Sequence, residues 1–186
     1  MSASQSSGPT SWLAPGSLFG LLLLFSKAPD EMRAAMRLEP ERLAAEPWRL
    51  LTAHFVHSTT AHAALNGAAL MLFSALLPSL RVARRLAVAV LVSTLGVNVG
   101  VVGFHDLDWY VGFSGVVYGI AALGVAVEWG RPNSVAGIVF AGLAVKLTYD
   151  AVFGTPALTE HLVGGAVLAE AHVYGLVAGL VGGAVL

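Results

Sequence analysis

Cysteine is absent from the 186 residues of this chain, and charge is scarce. Without cysteine no disulfide framework exists, and the redox compartment is left unmarked. Lys, Arg, Asp and Glu make up 11% of the sequence, against roughly 25% in an average soluble domain, while 56% is hydrophobic. With a mean hydropathy of +0.77, this is the composition of a chain that lives in a bilayer. The formal net charge of −1 argues against a nucleic-acid partner, since phosphate binding needs a concentrated basic patch. Length is limiting too. A spanning helix takes ~20 mostly apolar residues, so the chain accommodates about six and no separate soluble domain. The expected fold is an all-α membrane protein, with residues 1–186 forming one six-helix bundle behind a Ser-rich, uncharged tail at 1–11.

The first apolar run, Trp12 to Ser26, contains Pro15 and has no basic residue before it. A cleaved signal sequence would carry that basic flank, so the run is read as a retained helix. Residues 27–49 then mix five basic with five acidic side chains, a pattern that fits either short helices lying along the membrane interface or a solvated connector. Further spans are expected at 54–79, 86–104, 112–129, 135–153 and 164–186, with connectors between them at 105–110, 130–134 and 154–163. Orientation is not decided by charge. Arg81, Arg84, Arg85 and Arg131 favour one side, while Lys27, Arg33, Arg37, Arg42 and Arg49 fall on the other.

Against so little polarity, the polar residues inside the apolar runs stand out. Gly112-Phe113-Ser114-Gly115 places a small hydroxyl between glycines where a hydrophobic segment begins, open to close approach by a substrate backbone. Ala171-His172-Val173-Tyr174-Gly175 puts a histidine into another apolar segment, an expensive group to hold in lipid without a role. Serine is a weak nucleophile until a base takes its proton, and histidine is the usual base. No acidic residue stands at helical spacing from His172, since Glu170 is two positions away and on another face, so a dyad is expected rather than a triad. Tyr118 lies one turn above Ser114, where it would hold the imidazole or simply pack.

His62 and Asn66 are four apart and share a helix face, while His57 falls about 140° around from His62 on a continuous helix. A single helix therefore cannot aim His54, His57 and His62 at one metal, and no metal or organic cofactor is expected. His62 and Asn66 either bond across helices or serve as oxyanion donors; the company of Ser114 and His172 favours the second. Gly115 with Gly119, and Gly175 with Gly179 and Gly183, repeat small residues every fourth position, which lets helix backbones approach. Lys146 and Asp150 stand at i,i+4, as a structural ion pair or as a place to bind substrate.

Together, Trp48-Arg49, the spacing His57, His62, Asn66, the Gly112–Gly115 motif with Tyr118, and Ala171-His172 followed by Gly175 and Gly179 resemble the rhomboid family of intramembrane serine proteases. The resemblance implies Ser114 as nucleophile, His172 as general base, and His62, Asn66 and the Ser114 N–H as the oxyanion hole. It also implies a cytoplasmic N-terminus and an active site opening to the outer side. Within the family, Lys146–Asp150, Gly164–Val167 and Glu170–Gly175 resemble the rhombosortases, bacterial enzymes of the inner membrane. For those the expected partner is the transmembrane segment of an exported protein with a C-terminal Gly-Gly motif, hydrophobic helix and basic tail. Two rivals remain. One is a non-proteolytic rhomboid-like protein that binds membrane helices, and the other a small transporter or haem-binding bundle.

Overall fold

The computed structural model describes residues 9–132 and 134–186; residues 1–8 of the expected tail lie outside the described residues. Among these, the chain forms helices and turns with no strand. The helices are α1 (Leu13–Phe25), α2 (Asp30–Met36), α3 (Arg49–Thr52), α4 (Thr60–Leu76), α5 (Ala83–Phe104), α6 (Ser114–Glu128), α7 (Ala136–Phe153), α8 (Ala157–Val163) and α9 (Ala169–Ala184). Each of the six expected spans contains one long helix, but the ends differ. The span expected from residue 54 begins only at Thr60, because Thr59 stands extended as the N-cap and its hydroxyl accepts the His62 N–H. The expected connector at 154–163 winds into α8 between Gly154 and Gly164, both at positive φ where a side chain would be strained.

By length and composition, α5 and α7 can each cross a membrane, while α1, α4 and α6 are apolar but shorter, at 13, 17 and 15 residues. The shortness of α6 has a structural reason. It is the hub of the bundle, packed against α4, α5, α7 and α9, and Val116, Ile120, Ala121, Ala122 and Leu123 on it are fully buried. Outward faces elsewhere are apolar: Leu91, Leu95 and Val99 on α5, Ile138, Val145 and Val152 on α7, and Val173, Val177 and Val181 on α9 are all exposed. Within an apolar core that includes Leu70, Phe113 and Ile120, the interior also holds His54, His57, Asn66, Ser74, Ser93, Asn98 and His172. Apolar stripes facing out and polar groups facing in are the reverse of a soluble bundle, and they suit lipid.

Glycine governs the tightest contact, between α6 and α9. A Cβ at Gly175 would overlap the Gly115 carbonyl, one at Gly179 would overlap the Gly119 carbonyl, and one at Gly115 would come within 2.7 Å of the Ala171 oxygen. Backbone therefore touches backbone, which no other residue type permits here.

The mixed-charge segment is docked rather than free. Leu38 and Tyr110 exchange backbone hydrogen bonds of 3.0 and 2.9 Å, tying it to the loop before α6. Arg49 is buried and donates to the Ala34 and Arg37 carbonyls at 2.8 and 2.6 Å while pairing with Glu46. Glu39 gathers Arg37 and Arg42, with Arg49 at 3.9 Å. Its carboxyl is held below the ordinary carboxylate range, first by the Arg37 hydrogen bond, against partial burial, and then by the charges of Arg37, Arg42 and Arg49.

Two outcomes follow from this packing. Gly175→Val should separate α6 from α9 and destabilise the bundle by roughly 1–3 kcal/mol, read as a lower midpoint of thermal unfolding in detergent, whereas Val177→Ala on the outer face of α9 should leave it nearly unchanged. Because the folded carboxyl of Glu39 is depressed, its contribution is present above the unfolded carboxylate range and is lost as pH falls through the folded value. Glu39→Gln should therefore flatten the acid side of the stability–pH curve by lowering stability at neutral pH toward the acid-side level, since a neutral amide can still accept from Arg37 but does not attract the three arginines.

Candidate active site

Ser114 is the first residue of α6, so its N–H and that of Gly115 have no partner within the helix. The residue at the N-cap is Phe113, which has no side-chain acceptor to cover them. The helix thus opens with donors that no cap satisfies and the positive end of its dipole beside a hydroxyl. His172 reaches the same point from the first turn of α9, and its Nε2 lies 3.0 Å from Ser114 Oγ. Tyr118, one turn into α6, stacks on the imidazole with centroids 4.4 Å apart and planes 8° from parallel. The second ring nitrogen, Nδ1, is buried without a hydrogen-bond partner.

The remaining candidates arrive through the turn before α4. Because that helix starts at Thr60, His57 is not on it, contrary to the continuous helix expected over 54–79. The break has a consequence for geometry. Freed from the 140° that a helix would impose, the His57 ring meets His62 edge-on at 4.8 Å. His57 Nε2 accepts from the Asn66 side-chain amide at 2.9 Å and from the Phe113 N–H at 3.3 Å. Two donors converging on one nitrogen make it the unprotonated one, so the proton sits on Nδ1. An Asn amide carries two N–H groups, and His57 engages one, leaving the other for the cavity that Asn66 shares with Ser114.

Gly112 links these parts. Its φ of +117° lies in the region that favours glycine. A Cβ there would stand 3.0 Å from His62 Cε1 and 3.3 Å from Nε2, so the bare Cα is what lets the His62 ring lie over the approach to Ser114. The Gly112 N–H donates to the Ala53 carbonyl at 3.0 Å. The buried His54 ring sits between the Gly112 oxygen at 3.3 Å and Asn98 Oδ1 at 3.0 Å, and Asn98 in turn donates to the Leu50 carbonyl at 2.7 Å. His54 and His57 are thus committed to different partners and do not converge on a common point.

Two cavities meet at Ser114. One, of about 380 Å³, is lined by His62, Trp109, Tyr110 and the 163–168 segment. The other, of about 370 Å³, is a mostly apolar groove between α4, α6 and α7, lined by Asn66, Tyr118, Ile138, Leu143 and Lys146. Lys146 pairs with Asp150, but only the lysine faces the groove; the carboxylate is buried. Of the pair read from the sequence as a structural ion pair or a place to bind substrate, Lys146 lines the groove and Asp150 lies buried behind it.

The profile of the rhomboid domain matches residues 44–186. The chain belongs to the rhomboid family. Rhomboids are in general intramembrane serine proteases, and the matched region holds every residue of the site just described, while α1 and α2 precede it. No curated protein matches the sequence. Sequence reasoning missed Asn98, Thr59 and the part of His54 in holding the segment before Ser114. Asn98 carried a readable signal, a lone amide deep in the 22-residue apolar helix α5; Thr59 carried another, a hydroxyl ahead of an alanine-rich stretch.

Gly112→Ala should strain the backbone by about 1–3 kcal/mol and displace His62. In a rhomboid built this way the expected result is a fall of about tenfold or more in cleavage rate, with the detergent-solubilised protein still folded by circular dichroism.

Proposed function

We propose that this rhomboid is an intramembrane serine endopeptidase working through Ser114 and His172. The observation that carries the reading is the 3.0 Å approach of His172 Nε2 to Ser114 Oγ at the junction of a groove between helices and a cavity lined by loops. His172 takes the hydroxyl proton, Ser114 Oγ attacks the scissile carbonyl, and the oxyanion is held by the Ser114 N–H, His62 and Asn66. His172 then passes the proton to the leaving amide nitrogen, and water hydrolyses the acyl-enzyme. No metal or organic cofactor enters these steps.

The substrate in this reading is the transmembrane segment of a membrane-anchored protein. It reaches Ser114 through the groove between α4 and α7, and unwinding it is easiest where small residues such as glycine weaken the helix. Water in this reading comes through the other cavity, which is lined by Leu107, Trp109, Tyr110 and Val111 from the irregular backbone before α6. The six long helices then form six spans in a bacterial inner membrane, with the N-terminus cytoplasmic and the active site opening to the periplasm. The rhombosortase resemblance adds the signal type, Gly-Gly followed by a hydrophobic helix and a basic tail.

The test is a reporter carrying such a tail, incubated with purified enzyme. Ser114→Ala and His172→Ala should each lower the cleavage rate by roughly a thousandfold or more, and a serine-directed fluorophosphonate should label the wild type but not Ser114→Ala. Undiminished cleavage by either variant would sink the mechanism. Equal cleavage of a reporter whose Gly-Gly is replaced by Leu-Leu would refute the signal type alone.

A further inference from the structure

Lys146 and Asp150 form an ion pair one turn apart on α7, in unlike surroundings: the lysine side chain is 44% exposed and the aspartate side chain 1%. The topology sets the depth of the carboxylate. α7 runs back from the 129–135 turn, so its last turn returns to the level at which α6 begins with Ser114, and α9 starts at the same end with His172. Lys146, bonded to Asp150, lines the same groove as Ser114 and Tyr118, and α7 packs against α9, which brings the pair to the side of the groove where His172 meets Ser114.

The charged or titratable groups facing His172 are Asp150 and Lys146 from α7, His62 from α4 and Glu170 from its own helix. Glu170 is exposed, where water and salt screen it. Asp150 is the one buried negative charge among them. His172 Nδ1 has no hydrogen-bond partner, so no acceptor in contact with the ring offsets the positive charge it gains on taking the Ser114 proton. A cation forming in apolar surroundings is costly unless an opposite charge lies near.

We infer that Asp150 is a positioning residue for the reaction proposed above: its buried carboxylate stabilises the His172 imidazolium through space, with Lys146 paired to it on the groove side. Asp150 exchanges no proton. The Ser114 proton moves to His172 Nε2 as the Oγ–carbon bond forms, and then to the leaving nitrogen as the peptide bond breaks; the carboxylate acts only while the ring is charged. The inference rests on the serine-protease reading.

The experiment compares full-length wild type, Asp150→Asn, Asp150→Glu and the charge reversal Lys146→Asp/Asp150→Lys on the tailed reporter, with thermal unfolding measured for each. Asp150→Asn should lower kcat about tenfold, the size of effect a nearby unit charge has at the dielectric of a partly wet site, with KM within about twofold. Asp150→Glu should recover most of the loss. The reversed pair keeps the i,i+4 attraction but sets a longer ammonium at the buried position near the imidazolium, so, per folded molecule as read by thermal unfolding, kcat should fall at least as far as in Asp150→Asn. A reversed pair with wild-type kcat would overturn the inference, as would an Asp150→Asn or Asp150→Glu loss that follows KM or the folded fraction. Those results would leave Ser114 and His172 standing, whereas cleavage surviving in Ser114→Ala would remove the protease reading and this inference with it.

Discussion

Everything at the site depends on α6 and α9 touching backbone to backbone. In a bilayer the lipid is as apolar as the helix surfaces, so burial of apolar area does not drive helices together, and packing with hydrogen bonds must do it. Glycines 115, 119, 175 and 179 remove the side chains that would keep the two backbones apart. Ser114 directly precedes the first of these contacts and His172 lies three residues before Gly175, so the glycine register fixes how far apart hydroxyl and imidazole can be. Hydrogen bonds weaken steeply beyond about 3.2 Å, and a single methyl group in the seam would be enough to exceed that. Separation of the two groups is thus a property of the helix contact and not of the groups themselves.

A second constraint acts on the segment leading into α6. Gly112 and Phe113 are held by Ala53, His54 and His57, all from the short stretch between α3 and α4. That stretch is positioned in turn by Asn98 from α5 and by Thr59, whose hydroxyl also donates to the Leu162 carbonyl at the end of α8. Polar bonds inside an apolar bundle are hard to exchange for water, so a chain of them makes a stiff support. Stiffness is what an oxyanion site requires, because donors fixed beforehand cost no reorganisation when charge develops.

Much of this was legible in the sequence, for reasons that differ residue by residue. Ser114 and His172 were readable because a lipid-soluble chain carries so few polar groups that each one demands a reason. The glycine seam was readable because helical periodicity turns a spacing of four into a face. His57 was misread as helical, since composition says that a segment is apolar but not where its first turn starts; a single N-cap, Thr59, decided that. The loop at 27–49 stayed open between two readings because its anchoring is non-local: Leu38 meets Tyr110, 72 positions away, and no periodicity encodes such a pairing. The span expected for α4 was too long because Thr59 caps the helix at Thr60 and the chain turns at Pro78 after Leu76.

The dyad proposed for Ser114 and His172 would also face a problem that soluble triads solve with one aspartate, which both orients the imidazole and offsets its charge. A carboxylate bonded directly to the ring would have to be buried beside it, and burying an unpaired charge is the costliest choice open to a membrane bundle. In this fold the two tasks fall to different helices. Tyr118 on α6 lies flat against the ring and restrains its plane, requiring no charge to do so. In the role inferred for it, the compensating carboxylate stands on α7, paired with a lysine on the groove side, so part of its burial cost is offset before any substrate arrives. Such a division weakens the stabilisation relative to direct contact, since Coulomb energy falls with distance. It also lets the site persist in an apolar bundle, where a directly bonded acid would tend to neutralise itself by binding a proton.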